Sequence, residues 1–102
     1  MPAASTLPSA NGLPLELVLY GTSHCHLCEQ AQALLRPYAE HGICRVEPVD
    51  IVNDPGLLEC YGERIPVLHN PDSGAELNWP FTARQADDWL RRQTARFNRQ
   101  RP

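Results

Sequence analysis

Two cysteines separated by two residues, in Cys25-His26-Leu27-Cys28, are the part of this chain best equipped for chemistry. An apolar run, Leu17-Val-Leu-Tyr20, turns through Gly21-Thr-Ser-His24 into the pair, and a helical pattern follows. Thiols three apart at a helix start can close a small disulfide ring, and the free amides and dipole there stabilise a thiolate. The first thiol stands where amides point outward to solvent; the second, one turn in, faces the core. This is a redox centre's layout. A protonated imidazole at His26 or His24 would favour the Cys25 thiolate. Two solvated, mostly neutral rings are the plainer alternative, which we adopt for His24 and leave open for His26. Glu29 suits the helix dipole but opposes the thiolate.

The rest of the chain has to position that pair. One hundred and two residues make one domain, large enough for its own core without structural disulfides. A formal charge of −3 is too small to imply a polyionic partner, and every basic residue is arginine. The sequence has no apolar stretch of about twenty residues and no basic, then apolar, leader, so a cytoplasmic protein off the membrane is expected. In that reducing compartment the four cysteines read as catalytic, metal-binding or buried free thiols rather than a disulfide framework.

Residues 1–14 are mostly Pro, Ala, Ser and Gly with little to bury, and are expected to form a flexible tail before a domain over 15–102. Leu15 to Tyr20 reads as a central strand covered on both faces, with Glu16 as a blemish. From Cys25 the positions Leu27, Ala31, Leu34, Leu35 and Tyr38 keep helical spacing up to Gly42, and Pro37 predicts a kink or break. Ile43 to Ile51 is a strand that Pro48 confines to a sheet edge. Asp54-Pro55 opens a short helix burying Leu57, Leu58 and Tyr61 before Gly62. Pro66 to His69 and Ala75 to Trp79 form a hairpin across Asn70-Pro-Asp-Ser-Gly74. Thr82-Ala-Arg-Gln85 is a capping box, with Phe81 stapled onto Ala86 and with Ala86, Trp89, Leu90 and Phe97 inward on the last helix. The order is β-α-β-α-β-β-α.

The strand, the Cys-x-x-Cys, the helix and Arg64-Ile-Pro66 entering a hairpin together resemble the glutaredoxin branch of the thioredoxin superfamily. The run Leu-Tyr-x-Thr-x-x-Cys-His-Leu-Cys-Glu, Tyr61-Gly to Leu68, and Trp79-Pro-Phe81 resemble small bacterial glutaredoxin-like proteins of unassigned function. The likeness spans about residues 15–92. It implies a thioredoxin-like α/β fold with a four-stranded mixed sheet and helices on both faces. It also implies Cys25 as exposed nucleophile, Cys28 as the buried resolving thiol, and Pro66 as the superfamily's cis-proline. The backbone of Ile65 beside Cys25 would then be free to pair with a bound peptide.

Glutathione-binding glutaredoxins usually carry a lysine between the strand tyrosine and the first cysteine, Thr-Val before the cis-proline, and Gly-Gly with aspartates before the last helix. Thr22, Arg64-Ile65 and Asn78-Trp-Pro-Phe-Thr82 stand there instead. Arg64 or the Thr82 helix start is the candidate for a carboxylate, since helix N-termini bind anions. Leu19 stands where thioredoxins bury an acidic residue.

Metal binding is the rival class, because Cys-x-x-Cys is half a zinc site and His24 and His26 flank it. No second pair with matching spacing appears, and Cys44 and Cys60 read as small buried hydrophobes. The arginines at 91, 92, 96, 99 and 101 complement a helix C-terminus more simply than they bind nucleic acid. An inert adaptor that keeps the fold is disfavoured by the intact Cys25 and Cys28. The sequence therefore predicts a monomeric thiol–disulfide oxidoreductase without resident cofactor or metal. Its partner would be a disulfide-containing protein or a glutathione-type thiol, with glutathione as a candidate co-substrate. The alternative is a metal or iron–sulfur carrier using the same pair.

Overall fold

The computed structural model describes residues 13–99, with side chains to residue 95. Its elements run β1 (Leu15–Gly21), α1 (His26–Glu40), β2 (Cys44–Asp50), α2 (Pro55–Tyr61), β3 (Val67–His69), β4 (Glu76–Asn78) and α3 (Ala83–Arg99). One mixed sheet has the order β2-β1-β3-β4, with β1 parallel to β2 and the β1–β3 and β3–β4 pairs antiparallel. This is the expected thioredoxin-like α/β architecture.

The side-chain alternation of β1 divides the interior. Leu15, Leu17 and Leu19 are buried with Ala31 and Leu35 of α1 and Ala86, Trp89 and Leu90 of α3 in one core cluster. On the opposite face Tyr20 packs against a second cluster of Ile51, Tyr61 and Val67. The strand is thus central and inward on both faces at its C-terminal end, while Glu16 faces solvent. Leu13, within the segment expected as tail, also packs against the larger cluster. Residues 1–12, which make up the remainder of that expectation, lie outside the described residues, as do the side chains of Phe97, Arg96 and Arg99 and all of Arg101.

Four local expectations meet the structure directly. Pro37 neither breaks nor ends α1, which continues to Glu40. The proline sits in the last full turn, where it removes one donor, and its own carbonyl accepts from both the backbone N–H and Nδ1 of His41, at 3.1 and 2.7 Å. Gly42 then takes φ +77°, and the amides of Gly42 and Ile43 reach back to the carbonyls of Ala39 and Tyr38 in a Schellman closure. Pro48 does lie on an edge strand. Leu58, expected inward on α2, is 45 % exposed: only Tyr61 is fully buried on this two-turn helix, so its inner face is narrower than the apolar spacing suggested.

The capping residues act as their types require. Asp54 accepts from the Leu57 amide at 3.1 Å to open α2. At α3 the Thr82 hydroxyl accepts from the Gln85 amide at 3.0 Å, and the Gln85 side chain accepts from the Thr82 amide at 2.8 Å. The hairpin turn closes through Gly74 at φ +79°, and buried Asn70 donates to Gln93 of α3 at 2.8 Å, fastening the turn to the last helix.

Candidate active site

Strand β1 ends at Gly21, and four residues later Cys25 is the N-cap of α1. Its extended backbone and side-chain sulfur are placed as a capping group would be: the Cys28 amide donates to Cys25 Sγ at 3.1 Å. Cys25 and Cys28 are joined as a disulfide, with Cα atoms 5.2 Å apart. Cys25 is half-buried, and Cys28, one turn into the helix, is 8 % exposed and faces the larger core. The two sulfurs thus differ in access, as the helix-start argument requires.

The turn that carries Cys25 outward is specialised. His24 has φ +60°, in the left-handed region that few non-glycine residues occupy, and is exposed. Ser23 donates to Asp50 Oδ2 at 3.1 Å and so ties this turn to the end of β2. Asp50 also accepts from the Val52 amide at 2.9 Å, and this backbone hydrogen bond, with those from Ser23, holds its carboxyl below the usual range. The Ile51 amide donates to the Gly21 carbonyl at 3.0 Å, locking the two strand ends together.

A cleft of about 320 Å³ opens beside the dithiol on the β2 side of α1. Thr22, His24, Cys25 and Cys28 line it with Ser23, Glu29, Gln32 and Asp50. Among the described residues, two carboxylates face this space, and His24 is the only side chain on its walls able to carry a positive charge. His26 does not line it; its Nδ1 lies 3.7 Å from Glu29 Oε1 on the solvent side of α1.

Ile65-Pro66 is a cis peptide bond. Pro66 is fully buried, and its carbonyl accepts from the Trp79 amide at 3.2 Å. Because Tyr20 pairs with Val67, the next step of the antiparallel register sets Pro66 against Gly21. The proline loop therefore borders the end of β1 on the side away from the cleft.

Arg64 and Thr82, the two candidates for a carboxylate, are both engaged within the chain. Arg64 Nη1 donates to Glu76 at 3.3 Å and to Asn78 at 3.2 Å, and the guanidinium lies 4.9 Å over the Tyr61 ring. The Thr82 hydroxyl belongs to the capping box. Glu76 is the hub of this cluster. It accepts from the Tyr61 hydroxyl at 2.6 Å, and His69 Nδ1 lies 3.4 Å away. The Tyr61 hydrogen bond, with Arg64 beside it, holds the Glu76 carboxyl below the usual range.

The remaining cysteines diverge. Cys44 is buried, and burial pushes its thiol up to about 11. Cys60 contradicts the expectation of a buried hydrophobe: it is exposed on α2, with Arg64 Nη2 3.9 Å from its sulfur. The same narrow inner face that leaves Leu58 outside leaves Cys60 outside.

Sequence reasoning singled out the thiols, the histidines and the proline loop, but not Gly21, Ser23 or Asp50. A small residue ending an apolar run just before the dithiol is a signal for Gly21. For Ser23 and Asp50, distant in sequence, only the parallel pairing of β1 with β2 reveals the contact.

The glutaredoxin-like domain family (DUF836) matches residues 16–91. The chain belongs to that family. Protein XcR50 of X. campestris has a crystal structure 43 % identical to this chain, covering 72 % of it and 93 % of XcR50 with a TM-score of 0.63. The solution structure of protein Ne2328 of Nitrosomonas europaea is 31 % identical, covering 76 % of this chain and 92 % of Ne2328 with a TM-score of 0.66. No curated protein matches the chain. No helix among the described residues is long and apolar enough to cross a membrane, and none of these residues form a group of three or more His, Cys, Asp or Glu side chains suited to a metal ion.

Proposed function

We propose that this protein is a thiol–disulfide oxidoreductase working through Cys25 and Cys28. One observation carries the reading: Cys25 caps a helix at the rim of a cleft, while the sulfur that closes its disulfide is buried one turn inside. In the reduced protein the Cys25 thiolate attacks a substrate disulfide, forming a mixed disulfide and releasing one substrate thiolate. The Cys28 thiolate then attacks Cys25 Sγ, breaking the mixed bond and releasing the second. The two substrate thiolates take up protons, the Cys25–Cys28 bond holds the oxidation, and a dithiol or two monothiols must reduce it to complete the cycle.

The substrate class we favour is a disulfide-containing protein, with glutathione a poorer co-substrate. Glu29 and Asp50 face the cleft, and Arg64 is already paired with Glu76, so among the described residues an anionic tripeptide meets two carboxylates and no free guanidinium there. The protein works as a cytoplasmic monomer without resident cofactor. The metal-carrier alternative rests on the same two thiols, which among the described residues belong to no group of three or more ligand-type side chains.

The test is reduction of a small-molecule disulfide by the pre-reduced protein. We expect stoichiometric turnover in the wild type and none in Cys25→Ser. Retained activity in that variant overturns the mechanism. Reductant choice is read by supplying glutathione or a thioredoxin reductase to the oxidised protein, with metal content measured on freshly purified material.

A further inference from the structure

The end of β1 passes unusually close to the resolving sulfur. A Cβ built on Gly21 would lie 2.7 Å from Cys28 Sγ and 3.3 Å from Cys28 Cβ. A methyl carbon and a sulfur need roughly 3.5–4.0 Å to avoid overlap. Gly21 is not at a left-handed φ, and it ends a strand rather than making a turn, so backbone freedom does not explain a glycine there. The missing side chain does: the space a Cβ would fill is held by Cys28 Sγ.

We infer that Gly21 is a positioning residue for the redox couple, keeping clear the pocket in which Cys28 Sγ sits when bonded to Cys25. This inference rests on the dithiol reading above and extends it. A Cβ there would penalise one redox state more than the other. In the disulfide, Cys28 Sγ is tied to Cys25 and backed by the core at 8 % exposure, so it has no rotamer to retreat into. In the dithiol the bond is gone and Sγ can turn about its Cα–Cβ bond. The looser contact with Cys28 Cβ, at 3.3 Å, is common to both states and cancels between them. A methyl at Gly21 therefore disfavours the disulfide more than the dithiol, and it obstructs the approach of Cys28 Sγ to a mixed disulfide on Cys25.

The experiment is Gly21→Ala, read by equilibrating the Cys25–Cys28 couple against a dithiol buffer. We expect the equilibrium to shift at least tenfold toward the dithiol, about 30 mV for a two-electron couple. Mixed disulfide on Cys25 should also accumulate during turnover. The structural control is the same substitution in a Cys28→Ala background, where no sulfur remains to collide. Gly21→Ala should lower the melting temperature of the oxidised protein and change it much less in that background. If Gly21→Ala prevents folding beside Cys28 but not in the Cys28→Ala background, the proposal stands. An unshifted equilibrium, or an equal loss of stability in both backgrounds, overturns it and makes Gly21 a backbone packing position. Wild-type turnover is measured alongside: its absence refutes the oxidoreductase reading, whereas the ratio between wild type and variant concerns Gly21 alone.

Discussion

The Cys28 amide donates to Cys25 Sγ at 3.1 Å, so the first sulfur of the pair serves as the cap of the helix that buries the second. A thiolate at Cys25 keeps that hydrogen bond and gains the positive end of α1, while a thiolate at Cys28 would be stranded in the core. Reduced protein should accordingly be alkylated at Cys25 well before Cys28 near neutral pH, by at least tenfold in rate. Peptide mapping after brief treatment with iodoacetamide reads the order. Cys28→Ser should trap a mixed disulfide on Cys25, and preferential labelling of Cys28 refutes the assignment.

The other two thiols should separate just as clearly, because Cys44 is buried with its thiol pushed up to about 11 while Cys60 is exposed. Cys60 should label in the folded protein and Cys44 only on unfolding. Neither Cys44→Ser nor Cys60→Ser should change disulfide turnover more than about twofold, since neither sulfur lines the cleft. Labelling of Cys44 without loss of fold would contradict the packing described.

Much of the fold is legible in the sequence, for a physical reason. Caps, turn residues and period-two or period-3.6 spacing are local signals, so the capping box at Thr82, the hairpin at Asn70–Gly74 and the edge position of Pro48 could be read without tertiary knowledge. The failures share a different cause. Helical spacing points Leu58 inward and the usual burial of cysteine does the same for Cys60, but how wide a face α2 buries depends on what covers it, and a two-turn helix covers little. Pro37 disrupts a helix interior, yet three residues from the end of α1 its cost is one donor. Contacts such as Ser23 with Asp50, or Tyr61 with Glu76, join residues far apart in sequence that only the tertiary arrangement brings together.

The Glu76 cluster should show in acid. Its carboxyl is held low chiefly by the Tyr61 hydroxyl, so the folded pKa lies below the unfolded one. That stabilisation is fully present above the unfolded pKa, about 4.3, and is lost as pH falls through the lower, folded value. Glu76→Gln should cost about 1–2 kcal/mol near pH 7. The gap between wild type and variant should close as pH falls below about 4. Denaturant titrations at pH 7 and pH 3 measure both; a gap that stays constant would mean the carboxylate charge is not what Tyr61 and Arg64 recognise.

Thr82 caps α3, which gives it a stability effect of its own. Thr82→Ala removes the acceptor for the Gln85 amide and should destabilise by about 1 kcal/mol, lowering the melting temperature by several degrees in a domain of this size. Thr82→Ser, which keeps the hydroxyl, should restore most of it. If Thr82→Ala instead leaves stability unchanged and weakens reduction by an anionic thiol, the helix start is a binding position rather than a closed cap.

The charge beside the dithiol should decide how fast an anionic substrate reacts. Asp50 is held ionised by the Val52 amide and by Ser23, and Glu29 stands exposed on the first turn of α1, so both carboxylates face whatever approaches Cys25 through the cleft. Like charges at such distances are screened within about 8–10 Å at ordinary salt, which makes their effect modest and dependent on ionic strength. Glu29→Gln should raise the rate with oxidised glutathione by roughly twofold to fivefold at low salt, and combining it with Asp50→Asn should raise it further. A neutral disulfide should respond to neither change beyond the small effect of removing a carboxylate near the thiolate. Rates measured for both substrates at two salt concentrations separate the cases: an equal gain for charged and neutral disulfides would place the effect on the thiolate itself, and no gain for glutathione at low salt would show that it reaches Cys25 from the Pro66 side rather than through the cleft.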